Sequence, residues 1–183
     1  EKQMNIANKI TTFRMLLIPV FVIAIIITGL DSVIPGIIFV GAALTDFIDG
    51  YLARSRNLVT NFGKFMDPLA DKLLSTTALI MLIQLEKIAA WIVVVIVARE
   101  FIITGFRVLA ASNNVTIAAS IWGKFKTTTQ FIAIILLLFK ETLLLRFIFP
   151  LDTIFIYISL FLTIISAADY IIKNKNVLDL NNI

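Results

Sequence analysis

The chain of 183 residues has no cysteine and no histidine. The first absence excludes disulfides and thiolate chemistry; the second excludes imidazole as a general base or a metal ligand. Any metal must therefore sit on oxygen ligands, which favours hard cations such as Mg2+ or Mn2+. Charge is also sparse, with 15% of residues charged against 60% hydrophobic, and the mean hydropathy is +0.99. Soluble domains are nearer half apolar. Alternation is lacking too: runs such as LLIPVFVIAIIITGL and IAAWIVVVIVA do not alternate as the strands of a membrane barrel must. A single chain in lipid then satisfies its backbone only as helices. The expectation is an all-α integral membrane protein.

Six spans are expected, at roughly 13–30, 34–56, 62–84, 88–111, 118–139 and 150–172. Turn or charge signals separate them: Gly29-Leu30-Asp31, Asn57, Glu86-Lys87, Ser112-Asn113-Asn114 and Lys140-Glu141. Residues 4–12, MNIANKITT, read as a short N-terminal surface helix. Glu1-Lys2-Gln3 precede Met4 and read as an extraneous remnant, leaving 4–183 as a single integral membrane catalytic domain; no cleavable signal sequence is expected. With the N-terminus inside, Lys87, Lys140 and Arg146 face out and the other lysines and arginines, out of 16, face in. That bias predicts cytoplasmic termini. The uncharged stretches between Lys72 and Glu86 and between Lys87 and Arg99 are shorter than the roughly 20 residues of a full crossing. Spans two to four are thus polar at their inner ends, which predicts a polar cavity open to the cytoplasm.

That end of spans two and three carries four aspartates, in LTDFIDGYLARSRNLVTNFGKFMDPLADKLL. On a helix, Asp46, Asp49, Gly50 and Ala53 share one face, with Arg54 beside it. Gly63, Asp67 and Asp71 recur at every fourth residue on the next helix. Two carboxylates about 5 Å apart repel by roughly 3 kcal/mol at an effective dielectric near 20. Four together require protonation or divalent cations. Two such cations match four carboxylates in charge and form a clamp suited to phosphoryl transfer. Two other readings stand beside this one. The aspartates cap helices or pair with Arg54, Arg56, Lys64 and Lys72, or they line the pathway of an ion-coupled membrane transporter.

Asp46-x-x-Asp49-Gly50-x-x-Ala53-Arg54, eight further residues, and Gly63-x-x-x-Asp67-x-x-x-Asp71 resemble the complete signature of the CDP-alcohol phosphotransferases. The resemblance implies a divalent-metal-dependent phosphatidyltransferase. It implies metal binding by Asp46, Asp49, Asp67 and Asp71, with Asp71 also the general base. It assigns Gly50, Ala53, Arg54 and Gly63 to the CDP moiety and Thr60 to the diphosphate. NIANKITTFR resembles the family's NIPN-x-x-T-x-x-R segment, placing Asn8 and Thr11 by the cytidine, with Ala7 where the family has proline. A homodimer is usual in the family.

The family signature does not report the acceptor alcohol. AREFIITGFRVLAAS and IAASIWGKFKTTTQ resemble the bacterial branch that forms phosphatidylglycerophosphate from CDP-diacylglycerol and glycerol 3-phosphate at the inner membrane. A phosphorylated acceptor needs cations, and Arg107 and Lys124 are the first candidates, followed by Arg99, Lys126 and Lys173. Arg99 also reads as an ion-pair partner of Glu100 or of a site aspartate, Lys126 as a side chain reaching to lipid headgroups, and Lys173 as a solvated charge at a helix C-terminus. Inositol phosphate, then serine, are the competing acceptors.

Overall fold

The computed structural model describes residues 6–55, 61–112, 120–142 and 150–174, of which the side chains of 6–11, 46–55, 61–68, 71, 111 and 112 are not described. These residues form helices: α1 (Ile6–Thr28), α2 (Ile34–Ser55), α3 (Asn61–Gln84), α4 (Ala90–Ser112), α5 (Ile121–Phe139) and α6 (Leu151–Lys173). No strand occurs among the described residues. The six expected spans match these six helices within a few residues except at the N-terminus. There the expected surface helix is not separate, because α1 runs unbroken from Ile6. The reason is local. Nothing between Ala7 and Thr12 is a proline or glycine, so the backbone has no cause to turn.

The helix ends follow from their residues. Gly29 closes α1 with φ +63°, a conformation that costs glycine nothing, and its N–H donates to Ile25 O at 2.9 Å. Pro35 sits in the first turn of α2, where its missing N–H removes no helical bond. Glu86 ends α3 with φ 56°. Its N–H donates to Ile83 O and that of Lys87 to Leu82 O, both at 2.9 Å, the bonding pattern of a Schellman cap. Asn174 caps α6, its Nδ2 donating to Tyr170 O at 2.8 Å.

Two compact units result, residues 1–87 with 134–149 and residues 88–133 with 150–183, so α5 contributes to both. In the first unit α1 packs on α2 and α3, and α2 on α3. Phe21 meets Phe39 at a ring separation of 6.0 Å and Arg14 meets Thr45. Partners fall along α2 as they rise along α1, so the two helices are antiparallel. Gly36 lies under the ring of Phe139, where a Cβ would stand 2.5 Å from Cζ. Lys87 Nζ pairs with Glu141 Oε1 at 2.8 Å.

In the second unit α4 packs on α6. The buried residues of α6 are Asp152, Ile156, Ser159, Leu160, Thr163, Ser166 and Tyr170, a helical stripe rich in hydroxyls. Thr163 Oγ1 donates to Ser159 O and Ser166 Oγ to Thr163 O. Such back-bonding satisfies a hydroxyl without another helix and leaves a small side chain for close packing. Throughout, buried positions include Arg14, Lys126 and Gln130, while Ile27, Phe101 and Ile172 are among the large apolar side chains facing outward. Among the described residues two helices, α5 and α6, are long and apolar enough to cross a membrane. The apolar stretches of α2 and α3 are shorter, ending at Thr45 and beginning at Lys72.

Candidate active site

The signature aspartates divide between two packed helices. Asp46 and Asp49 lie in the last three turns of α2; Asp67 and Asp71 lie in the first three of α3. Only residues 56–60 separate the two helices, a connection that spans at most about 17 Å. Each stripe therefore begins near the turn that joins the pair. Gly50, Ala53 and Arg54 share the α2 segment, and Gly63 opens α3. Positions are the extent of the description here, since these side chains lie outside it. Thr60 lies outside the described residues altogether.

The register of α1 against α2 bears on Asn8 and Thr11. Arg14 opposes Thr45 and Phe21 opposes Phe39. Both helices are continuous, so the same antiparallel register sets Thr11 level with the turn of Asp49 and Asn8 level with the turn after it. The N-terminal segment and the α2 part of the signature thus share one end of the first unit.

Four carboxylates on adjoining helices, in a chain with no cysteine or histidine, fit a hard divalent cation. Small residues at Gly50, Ala53 and Gly63 leave the backbone open to close approach by a bulky group.

The five acceptor candidates all lie in the second unit. Lys126 is buried, 1% exposed, and donates to Glu100 Oε1 at 2.6 Å. It does not reach outward to headgroups. Arg99 Nη1 donates to the same oxygen at 3.2 Å, the ion pair foreseen as its alternative role. Arg107 lies over the ring of Tyr170, 5.8 Å from its centroid, and Phe106 packs edge-on against that ring. The Tyr170 hydroxyl is buried with no hydrogen-bond partner among the described residues. Lys173 pairs with Asp169 at 2.6 Å, and Ser120 donates to the other oxygen of that carboxylate at 2.8 Å. Lys124 is exposed.

Sequence reasoning paired Glu100 with Arg99 but missed it as the partner of Lys126, and it missed Asp169 and Tyr170 as partners of Lys173 and Arg107. Glu100 and Asp169 sit one turn or less from a candidate cation in sequence, a signal that was present. Nothing in the sequence alone marks Tyr170.

A protein-family model for the CDP-alcohol phosphatidyltransferases matches residues 4–165. The chain belongs to that family. A Bacillus subtilis protein named CDP-diacylglycerol--glycerol-3-phosphate 3-phosphatidyltransferase is 41% identical over 191 residues, covering 97% of this chain and 99% of the relative. Proteins of the same name from Haemophilus influenzae and Rickettsia felis are each 38% identical. The first alignment covers 98% of this chain and 97% of the relative, the second 91% and 93%.

Proposed function

We propose that this chain transfers the phosphatidyl group of CDP-diacylglycerol to glycerol 3-phosphate, giving phosphatidylglycerophosphate and CMP. The observation that carries the reading is the complete acidic signature on the adjoining ends of two packed helices. Relatives that align over nearly the whole chain and bear that activity in their names support the choice of acceptor.

The enzyme is a six-span protein of the bacterial cytoplasmic membrane, with both termini and a polar cavity on the cytoplasmic side, and works as a homodimer. Supporting the membrane reading are the apolar outward faces, the polar buried positions and the two long apolar helices. Asp46, Asp49, Asp67 and Asp71 hold two divalent cations, Mg2+ or Mn2+, which supply positive charge to the diphosphate when bound. Arg54 offers that diphosphate a bidentate fork. Asn8 and Thr11 take the cytidine, with Gly50, Ala53 and Gly63 making room for it and Thr60 adding a donor. Arg107 and Lys124, then Arg99, Lys126 and Lys173, supply the cations for the acceptor phosphate.

Asp71 accepts the proton of the C1 hydroxyl of glycerol 3-phosphate. The freed oxygen bonds to the phosphorus that carries diacylglycerol. The bond from that phosphorus to the CMP oxygen breaks, and CMP departs with the electron pair. Asp71→Asn removes the proton acceptor and keeps the shape. Turnover is expected to fall by at least about 10²-fold, the lower range for a general base, while CDP-diacylglycerol still binds. Near-normal turnover in that variant would exclude Asp71 as the base.

A further inference from the structure

Tyr170, in the second unit, is 2% exposed, and its hydroxyl has no hydrogen-bond partner among the described residues. A buried hydroxyl left unpaired costs stability, so it calls for a partner from outside the chain. The hydroxyl does not hold the ring in place. Phe106 packs edge-on at 6.3 Å and Arg107 lies 5.8 Å over the face, both from α4. The same unit holds a second unpaired donor. Arg99 is close enough to Tyr170 and Arg107 to interact electrostatically with both. Its Nη1 is occupied by Glu100 at 3.2 Å, but its Nε–H is buried and unpaired among the described residues. Nε and Nη2 form the side-on edge of a guanidinium, which grips two oxygens of a phosphate at once. Gly123 stands beside that edge, where even a Cβ would keep 3.5 Å from Nη2. The Arg99 side chain remains 12% exposed, which gives an anion access to it.

We propose that Tyr170 is a specificity-determining residue whose hydroxyl, with the Nε–Nη2 edge of Arg99, seats the phosphate of the acceptor alcohol. This rests on the proposed function and deepens it. The guanidinium edge donates to two phosphate oxygens and the phenol to the third. Arg107, exposed and lying over the ring, turns toward the incoming anion and uncovers the hydroxyl. A carboxylate, such as that of serine, has only two oxygens. The guanidinium edge takes both, and the phenol stays unpaired. A site with an unpaired buried donor rejects the ligand that leaves it so.

The test is CMP release by the purified full-length protein at varied glycerol 3-phosphate, with inorganic phosphate as a competing anion, alongside the melting temperature without substrates. Tyr170→Phe deletes the hydroxyl alone. It is expected to raise the KM for glycerol 3-phosphate about tenfold or more, the loss of one hydrogen bond to a charged group. The Ki for inorganic phosphate should rise by the same factor, while the KM for CDP-diacylglycerol stays within about twofold of wild type. The melting temperature should be no lower than that of wild type, because no partner within the chain is lost. Arg99→Lys keeps the charge and removes the edge, and should raise the same KM and Ki.

An unchanged KM for glycerol 3-phosphate in Tyr170→Phe or in Arg99→Lys overturns the proposal. A raised KM with unchanged inhibition by phosphate sets the hydroxyl against the glycerol and overturns the phosphate seat. A Tyr170→Phe protein that melts below wild type, or does not fold, shows a structural partner for the hydroxyl and overturns it equally. Wild-type CMP release that does not depend on glycerol 3-phosphate would remove the underlying reading itself, a result distinct from these.

Discussion

Lys126 gives the sharpest energetic test, because one carboxylate oxygen serves two cations. Glu100 Oε1 accepts from Lys126 Nζ at 2.6 Å and from Arg99 Nη1 at 3.2 Å. The lysine side chain is 2% exposed, Glu100 22% and Arg99 12%. Removing one partner of a fully buried pair costs about 3–5 kcal/mol, mostly from the charge left behind. The two removals are therefore unequal. Lys126→Met leaves Glu100 partly solvated and still bound to Arg99, so the loss should be about 1–2 kcal/mol, below that range. Glu100→Gln leaves a deeply buried ammonium facing an amide, so the loss should approach about 3 kcal/mol. The double variant removes both charges and should be less destabilised than Glu100→Gln alone, giving a coupling of about 1–3 kcal/mol. Unfolding in mixed micelles titrated with a denaturing detergent measures all three, and the KM for glycerol 3-phosphate, measured in parallel, reports whether Lys126 also serves the acceptor. Additive losses, or a Glu100→Gln variant within about 0.5 kcal/mol of wild type, would refute the reasoning.

Other perturbations follow from single contacts. Gly36→Ala gains about 1 kcal/mol of helix propensity but drives a methyl into the Phe139 ring, an overpacking that costs about 1–3 kcal/mol; net destabilisation is expected, relieved in Gly36→Ala with Phe139→Leu. Tyr170→Leu removes the ring beneath Arg107, which should raise the KM for glycerol 3-phosphate by about threefold to tenfold, the worth of roughly 0.5–1 kcal/mol of cation–π attraction plus lost orientation. Steady-state rates at varied acceptor concentration check it, and an unchanged KM would separate Arg107 from the acceptor.

The architecture was legible because helical spans announce themselves by composition. Six apolar runs gave six helices, and the glycine at 29 and the charged pair at 86 and 87 ended two of them as expected. The exception is α1, which continues to Ile6: with no proline or glycine between Ala7 and Thr12 the helix simply carries on. The acidic stripes rest on spacing alone, since steps of three and four fix a shared face, and the side chains of those aspartates lie outside the described residues. The cation partners were not legible. Glu100 meets Lys126 across two helices at a separation of 26 residues, and Ser120, just before α5, meets Asp169 at 49; no periodicity encodes such meetings. Arg14 was counted only as an inner-face charge. Its burial beside Thr45 is a tertiary fact.

The central claim is that this chain spends CDP-diacylglycerol on a phosphorylated alcohol under divalent-metal control. CMP release from CDP-diacylglycerol by the purified protein, across glycerol 3-phosphate, inositol phosphate and serine, with Mg2+ or Mn2+ and then with chelator, tests it most directly. Release is expected with glycerol 3-phosphate, far less with the other two, and none once the metal is removed. Release that prefers serine or inositol phosphate, or that persists in chelator, would contradict it.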